Sequence, residues 1–257
     1  MNPSMKSSTV LITGANRGIG RGFAKVYLAR PSTTVIAAVR DATHATSKAL
    51  QDLPKADCSR LITIQLDSSM PESTAAVIEK LKTEYGITSL DVVIANAGIS
   101  LNASRVREST VENINQHLLV NAVAPVALFQ ATADLLQASE TGNPTFIAIS
   151  TLGGSIGSID GVAHLPLSPY GGSKAALNWF IRRLHFEEPW LTSFLLHPGL
   201  IETDLTVAAM EGSGVKLSDM GAVSVDAGVT QMMKTIDKAS RNIGGTFQSY
   251  DGTEMPW

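Results

Sequence analysis

Short runs of β-branched and aliphatic residues recur along the chain: "STVLIT" (8–13), "TTVIAAV" (33–39), "RLITIQL" (60–66), "LDVVIA" (90–95), "PTFIAIS" (144–150), "LTSFLLH" (191–197) and "GGTFQSY" (244–250). Most are nearly continuous apolar runs, not apolar/polar alternations, which is the pattern of parallel strands covered on both faces. Amphipathic stretches lie between them. In "PESTAAVIEKLKTEYG", Ala75, Ile78, Leu81 and Tyr85 repeat at helical spacing, Pro71 stands near the start and Gly86 just past the end. That order predicts a helix. Longer helices are expected over 108–138 and 169–188, the first kinked or broken near Asn121 because Pro125 has no N–H for the carbonyl four residues back. Strand–helix alternation predicts an α/β fold, a doubly wound seven-stranded parallel sheet, with residues 1–257 as a single Rossmann-type domain. Between Asp204 and Val223 the polarity is mixed, with three glycines and two methionines, and the stretch reads as a long excursion of the kind that carries function.

Composition narrows the classes. With 257 residues, 44% of them hydrophobic, the chain can bury a sizeable core. A net charge of −3 argues against a protein built to grip nucleic acid. The single cysteine, Cys58, forms no internal disulfide, which fits a reducing compartment. The start, "MNPSMKSSTV", lacks a charged region followed by an apolar signal core. No run approaches the roughly 18 apolar residues of a membrane span. A cytoplasmic protein with a small-molecule substrate is expected, with neither nucleic acid nor membrane as partner and no metal site.

Two places carry candidate chemistry. The first strand ends in "TGANRGIG", putting Gly14, Gly18 and Gly20 between a strand and the helical run "RGFAKVYLA". Such a turn brings backbone N–H groups and the positive end of a helix to a pyrophosphate. The spacing is G-x-x-x-G-x-G. At the end of the second strand, where an NAD enzyme carries an acid for the ribose 2′-OH, this chain has Ala38, followed by Arg40, and Arg17 lies inside the glycine turn. Two guanidiniums suit a 2′-phosphate and favour NADP(H). The second place is "SPYGGSKAALNWF", where Tyr170 and Lys174 stand four apart and share one helix face. Alone, that pair is equally a surface tyrosine near a lysine.

The ordered set "TGANRGIG", "LDSS", "NAG" (96–98), "VNAVAP" (120–125), "YGGSK" (170–174) and "HPGLIET" (197–203) resembles the short-chain dehydrogenases/reductases over essentially the whole chain. "LPLSPYGGSKAALN", "HFEEPWLTSFLLHPG" and "DGTEMPW" resemble a fungal branch of NADPH-dependent ketoreductases, often of aromatic polyketides in secondary metabolism. The resemblance implies cofactor contacts at Gly14, Asn16, Arg17, Gly18, Ile19, Gly20, Arg40, Asp67, Ser68, Asn96, Ala97, Gly98, Tyr170, Lys174, Pro198, Gly199, Ile201 and Thr203. Asp67 is to meet the adenine amine and Asn96 the ribose, while Ile201 and Thr203 bind the carboxamide. Catalysis is implied for Asn121, Thr151, Tyr170 and Lys174, with Lys174 lowering the tyrosine pKa and Asn121 retaining a water. Homodimers or homotetramers occur in such relatives.

One position departs from the family. Where a Ser-Ser pair is usual, this chain has Ser150 and Thr151, and the interval to Tyr170 is several residues longer. Threonine offers the same donor on a stiffer side chain. Strand alternation lets only one of the two hydroxyls face the reaction, and family spacing selects Thr151. Leu165, Leu167, Met210 and Met220, in the insert 152–169 and the excursion 204–223, point to a large apolar or aromatic ligand. The reading is NADPH-dependent ketone reduction. A relative recruited to reduce an imine or to template a cyclisation, with NADP(H) bound, stays open beside it.

Overall fold

The computed structural model describes residues 7–209 and 217–257. Seven parallel strands form one sheet: β1 (Ser8–Thr13), β2 (Thr33–Val39), β3 (Arg60–Gln65), β4 (Val92–Ala95), β5 (Thr145–Ile149), β6 (Thr192–His197) and β7 (Phe247–Ser249), in the order β3-β2-β1-β4-β5-β6-β7. The continuous apolar runs have a direct cause. In β1, Leu11 faces one core while Val10 and Ile12 face the other, and in β2 Ile36 and Ala38 oppose Val35, Ala37 and Val39.

Helices cover both faces. On one, α3 (Thr74–Tyr85), α5 (Ala124–Gln137) and α6 (Ser168–Glu187) bury residues such as Ile78, Leu81, Phe129 and Leu177. On the other, α1 (Gly18–Leu28) and α8 (Val225–Asp237) bury Phe23, Leu28, Val229 and Met232. At about 25 cal/mol per Å², such side chains each contribute roughly 1.5–3 kcal/mol when fully buried. The remaining helices are α2 (Ala45–Lys48), α4 (Val111–Leu118) and α7 (Asp204–Ala209).

The predicted stripe of α3 is only half right. Ile78 and Leu81 are buried, but Ala75 and Tyr85 are exposed. Thr74 and Val77 turn to the core in place of Ala75, and Tyr85 is the last residue before Gly86, whose φ of 66° ends the helix in the left-handed region.

The expected break near Asn121 is a π-turn, Leu119–Val123, joining α4 to α5. Pro125 offers no N–H to Asn121, and the wider turn absorbs the loss without ending the helix. Taken together, Val111–Gln137 is long and apolar enough to cross a membrane by length and composition, contrary to the expectation that no segment comes near. Half of its most apolar stretch is buried, with Leu128, Phe129 and Leu136 in the core. Of the excursion 204–223, the described parts are α7 and residues 217–223, which open with a short 3-10 turn, Leu217–Met220. Residues 210–216, Met210 among them, lie outside the described residues.

Candidate active site

The strand order reverses between β1 and β4, and the turns leaving those neighbouring strands meet there, a place where ligands collect in open α/β sheets. Gly14 (φ 64°) and Gly18 (φ 50°) hold left-handed conformations. A Cβ on Gly20 would stand 2.3 Å from the carbonyl oxygen of Gly14, so only glycine lets α1 start this close to the turn. The first turn of α1 has no side-chain cap and no acid, which leaves its N–H groups and dipole for an anion. Asn96 ties the turn down from β4, its Nδ2 donating to the carbonyls of Thr13 (2.9 Å) and Gly14 (3.4 Å). That side chain shapes the cradle. Asn16 is held at 2.6 Å by Thr46 Oγ1.

Ala38 pairs with Thr13 across the ladder, beside the turn, and Arg40 follows it on the surface. Asp41 is engaged locally: its carboxylate accepts from the N–H and hydroxyl of Thr43, which hold its pKa below the ordinary value. Arg17 leans toward Asp204 at 3.5 Å, both ends well exposed, a pair of small worth. Asp67 accepts from the N–H and hydroxyl of Ser69, making it a turn former at the end of β3. Ser68 and Ala97 line a small hollow there with Thr13 and Ala95.

At the other end, Ser150 and Thr151 leave β5. Ser150 is buried and donates to Asn178 Oδ1 at 2.6 Å. Thr151 turns the opposite way, toward the Tyr170 phenol, and its hydroxyl accepts the Gly153 N–H at 3.3 Å. Helix α6 packs against this turn through glycine: a Cβ on Gly154 would lie 2.6 Å from that of Lys174, and one on Gly171 2.5 Å from the Gly153 carbonyl.

Lys174 is buried and donates from Nζ to the Ile149 carbonyl at 2.7 Å. Burial pushes its pKa down to about 8. Burial also pushes Tyr170 up to about 12, against a smaller lowering by Thr151. Within the chain itself, then, desolvation and not the lysine charge sets the phenol, the reverse of the expected lowering. Asn121 is fully buried in the π-turn, where it accepts from Ile99 N–H (2.8 Å) and donates to Ile99 O (2.9 Å) and Ser173 Oγ (3.0 Å). Ser173 in turn donates to the Tyr170 carbonyl at 2.7 Å. A Cβ on Gly98 would sit 3.1 Å from Asn121 Oδ1 and 3.7 Å from Lys174 Nζ, so these three positions converge on one cleft that a side chain would fill.

The turn after β6 completes the floor. Gly199 (φ 76°) lies against the ring of Tyr250, 2.8 Å from where a Cβ would be. Ile201 is buried and bridged to Val223. Thr203, tied to Thr206 at 2.9 Å, stands against Gly18, so this turn reaches back to the glycine cradle. Beside Pro198, His197 is largely buried with its Nδ1 unpartnered. Desolvation holds its pKa down to about 4, against the raising influence of Asp251.

The longer interval after Thr151 is anchored by residues far along the chain. Ser155 Oγ donates to the Pro256 carbonyl at 2.8 Å and the Gly157 N–H to that of Trp257. Trp257 stacks on Phe247 with centroids 6.1 Å apart, and the Arg182 guanidinium lies over the Trp257 ring, 4.6 Å from its centroid. Sequence reasoning missed Ser173, Asn178 and His117. The i, i+4 spacing of His117 to Asn121 was the available signal for the last.

These turns leave the same edge of the sheet and define a nucleotide-binding oxidoreductase of the short-chain type. The chain belongs to the short-chain dehydrogenase family, whose model matches residues 8–213. It is 36% identical to the norsolorinic acid ketoreductase of Aspergillus parasiticus over 98% of this chain and 92% of that protein. It is 38% identical to that of Emericella nidulans over 99% and 96%. Among solved structures, the NADPH-bound carbonyl reductase from chicken fatty liver matches with a TM-score of 0.85 and 30% identity, over 98% of this chain and 100% of that one. A short-chain dehydrogenase/reductase from Burkholderia multivorans with bound NADP matches at a TM-score of 0.78 and 25% identity, over 98% and 100%. The glycine cradle and the cleft at Gly98 fit the nicotinamide dinucleotide that this family uses.

Proposed function

We infer that the chain is an NADPH-dependent ketoreductase acting on an apolar or aromatic ketone of secondary metabolism, with Tyr170 as proton donor. The observation that carries this reading is geometric: Tyr170 stands one helical turn from buried Lys174 on α6, and Lys174 Nζ and Asn121 Oδ1 converge on the cleft at Gly98. Burial raises the phenol pKa, and the positive charge of Lys174 beside a bound dinucleotide would bring it down toward the range where proton transfer to the substrate oxygen is efficient.

When bound there, NADPH would supply the hydride for the carbonyl carbon. Gly14, Asn16, Gly18, Ile19 and Gly20 would hold its pyrophosphate, Arg40 with Arg17 the 2′-phosphate, and Asp67, Ser68, Asn96 and Ala97 the adenosine side. Gly98, Pro198, Gly199, Ile201 and Thr203 would flank the nicotinamide half. Thr151 accepts the Gly153 N–H, which leaves its hydroxyl proton to point at the substrate oxygen and stabilise charge growing there. Tyr170 delivers its proton to that oxygen, giving the alcohol. Lys174, its pKa lowered to about 8 by burial, would hold the ribose hydroxyls and return the proton, while Asn121 would keep the relay aligned through Ser173. Leu167, beside Gly153, would give the cleft an apolar wall. Norsolorinic acid ketoreductases at 36–38% identity support a bulky ketone as substrate. The test is NADPH consumption with a panel of ketones, quinones and imines: consumption matched by alcohol from a ketone supports the reading, and consumption with imines alone overturns it.

A further inference from the structure

The segment leaving β4 is fastened to one helix face by three side chains. Asn113 Nδ2 donates to the Asn102 carbonyl at 3.0 Å, His117 Nε2 accepts the Leu101 N–H at 3.1 Å, and Asn121 pairs with both backbone groups of Ile99. Positions 113, 117 and 121 are successive turns of one face. The middle rung differs from its neighbours. His117 is fully buried, and its Nδ1 lies 2.8 Å from the carbonyl of Asn113, which can only accept. The proton therefore sits on Nδ1, and the lone pair of Nε2 is what takes the Leu101 N–H.

The same imidazole meets the Tyr170 ring edge-on, with centroids 6.5 Å apart at 73°. His117 thus touches the proton donor on one side and fixes the backbone of Leu101 on the other. Leu101 is 43% exposed, a large apolar residue whose backbone is held one imidazole away from the Tyr170 ring. Beyond it the segment is tied to the start of α6, where Ser168 N–H donates to the Ser104 carbonyl at 3.1 Å.

We propose that His117 is a positioning residue for substrate selection: through its Nδ1–H tautomer it holds Leu101 beside Tyr170, so that the Leu101 side chain forms an apolar lip for the ketone's ring system. This role rests on the reading of Tyr170 as proton donor. Its chemistry selects flat, apolar ketones over small polar ones.

His117→Phe keeps the ring and removes both polar bonds, whereas His117→Gln keeps an acceptor. Leu101→Ala removes the lip alone. Three quantities are measured: Leu101 amide hydrogen exchange, the NADPH dissociation constant, and kcat and KM for a polycyclic aromatic ketone against a small aliphatic one. In His117→Phe, Leu101 exchange should quicken about ten-fold or more as its N–H loses a partner. KM for the aromatic ketone should rise about ten-fold, with kcat for the small ketone and NADPH binding unchanged. His117→Gln should restore both. The double variant His117→Phe/Leu101→Ala should be no worse than the poorer single one. Unchanged Leu101 exchange, a KM rise matched by an equal loss of NADPH affinity, or additive effects in the double variant would each overturn the proposal. A chain that reduces no ketone counts against the functional reading, and Leu101 exchange then still decides whether His117 holds the lip.

Discussion

The two ends of the cleft are built by different means. The glycine cradle is made of backbone: three glycines, the uncapped start of α1, and one asparagine bracing it from β4. The reaction end is made of buried side chains in a connected network, Asn121 to Ser173 to the Tyr170 carbonyl, with Lys174 on Ile149 and Ser150 on Asn178. A backbone cradle tolerates substitution around it so long as its glycines stay, whereas a side-chain network loses function one group at a time. Loss of the Tyr170 or Thr151 hydroxyl should therefore leave cofactor binding intact, whereas loss of Lys174, which would also hold the ribose, should not.

The largest expected effect is at Tyr170. Tyr170→Phe keeps the ring that His117 touches and removes the proton, so turnover should fall by about 10²–10⁴-fold with NADPH affinity unchanged. Calorimetry beside steady-state kinetics separates the two. Next comes Thr151, where loss of the donor in Thr151→Ala should cost about 10²–10³-fold in kcat. Thr151→Ser should keep most of the activity. Ser150→Ala should change little, because Ser150 bonds Asn178 in the core. A crippled Ser150→Ala with an active Thr151→Ala would reverse the assignment.

A third effect is on stability. The ordinary pKa of 6.5 applies to His197 in the unfolded chain, and its folded value is about 4. The stabilisation is complete above pH 6.5 and is lost as pH falls toward 4, by at most about 3.5 kcal/mol at roughly 1.4 kcal/mol per unit. Denaturant titrations across that range should show the loss, and His197→Leu should flatten it. The smallest effect is at the cradle. Arg40→Ala should weaken NADPH by about 10–100-fold and leave NADH alone. Arg17→Ala should cost less, since Arg17 already engages Asp204. Equal affinity of the native chain for the two cofactors would remove the 2′-phosphate argument.

How much of this was legible differs between the ends for a physical reason. The cradle is local: Gly14, Gly18 and Gly20 sit within seven residues between a strand and a helix, so their pattern carries their geometry. The strands were legible because burial on both faces leaves continuous apolar runs. Contacts set by tertiary packing were not. Nothing local marks Pro256 and Trp257 as anchors of Ser155 and Gly157, about a hundred residues earlier. The π-turn at Leu119–Val123 was legible as a break through Pro125, but its form depends on the segment Asn121 grips. The phenol pKa went the other way from expectation because desolvation is a property of the folded surroundings, invisible in a Tyr–Lys spacing.

The most direct test is a single-turnover experiment with NADPH prebound to the native chain and to Tyr170→Phe, following NADPH loss and alcohol formation from a polycyclic aromatic ketone. The account predicts one alcohol per NADPH consumed in the native chain and, in the variant, equal NADPH binding with reduction slowed by at least about 10²-fold. Equal rates in the two chains would contradict it.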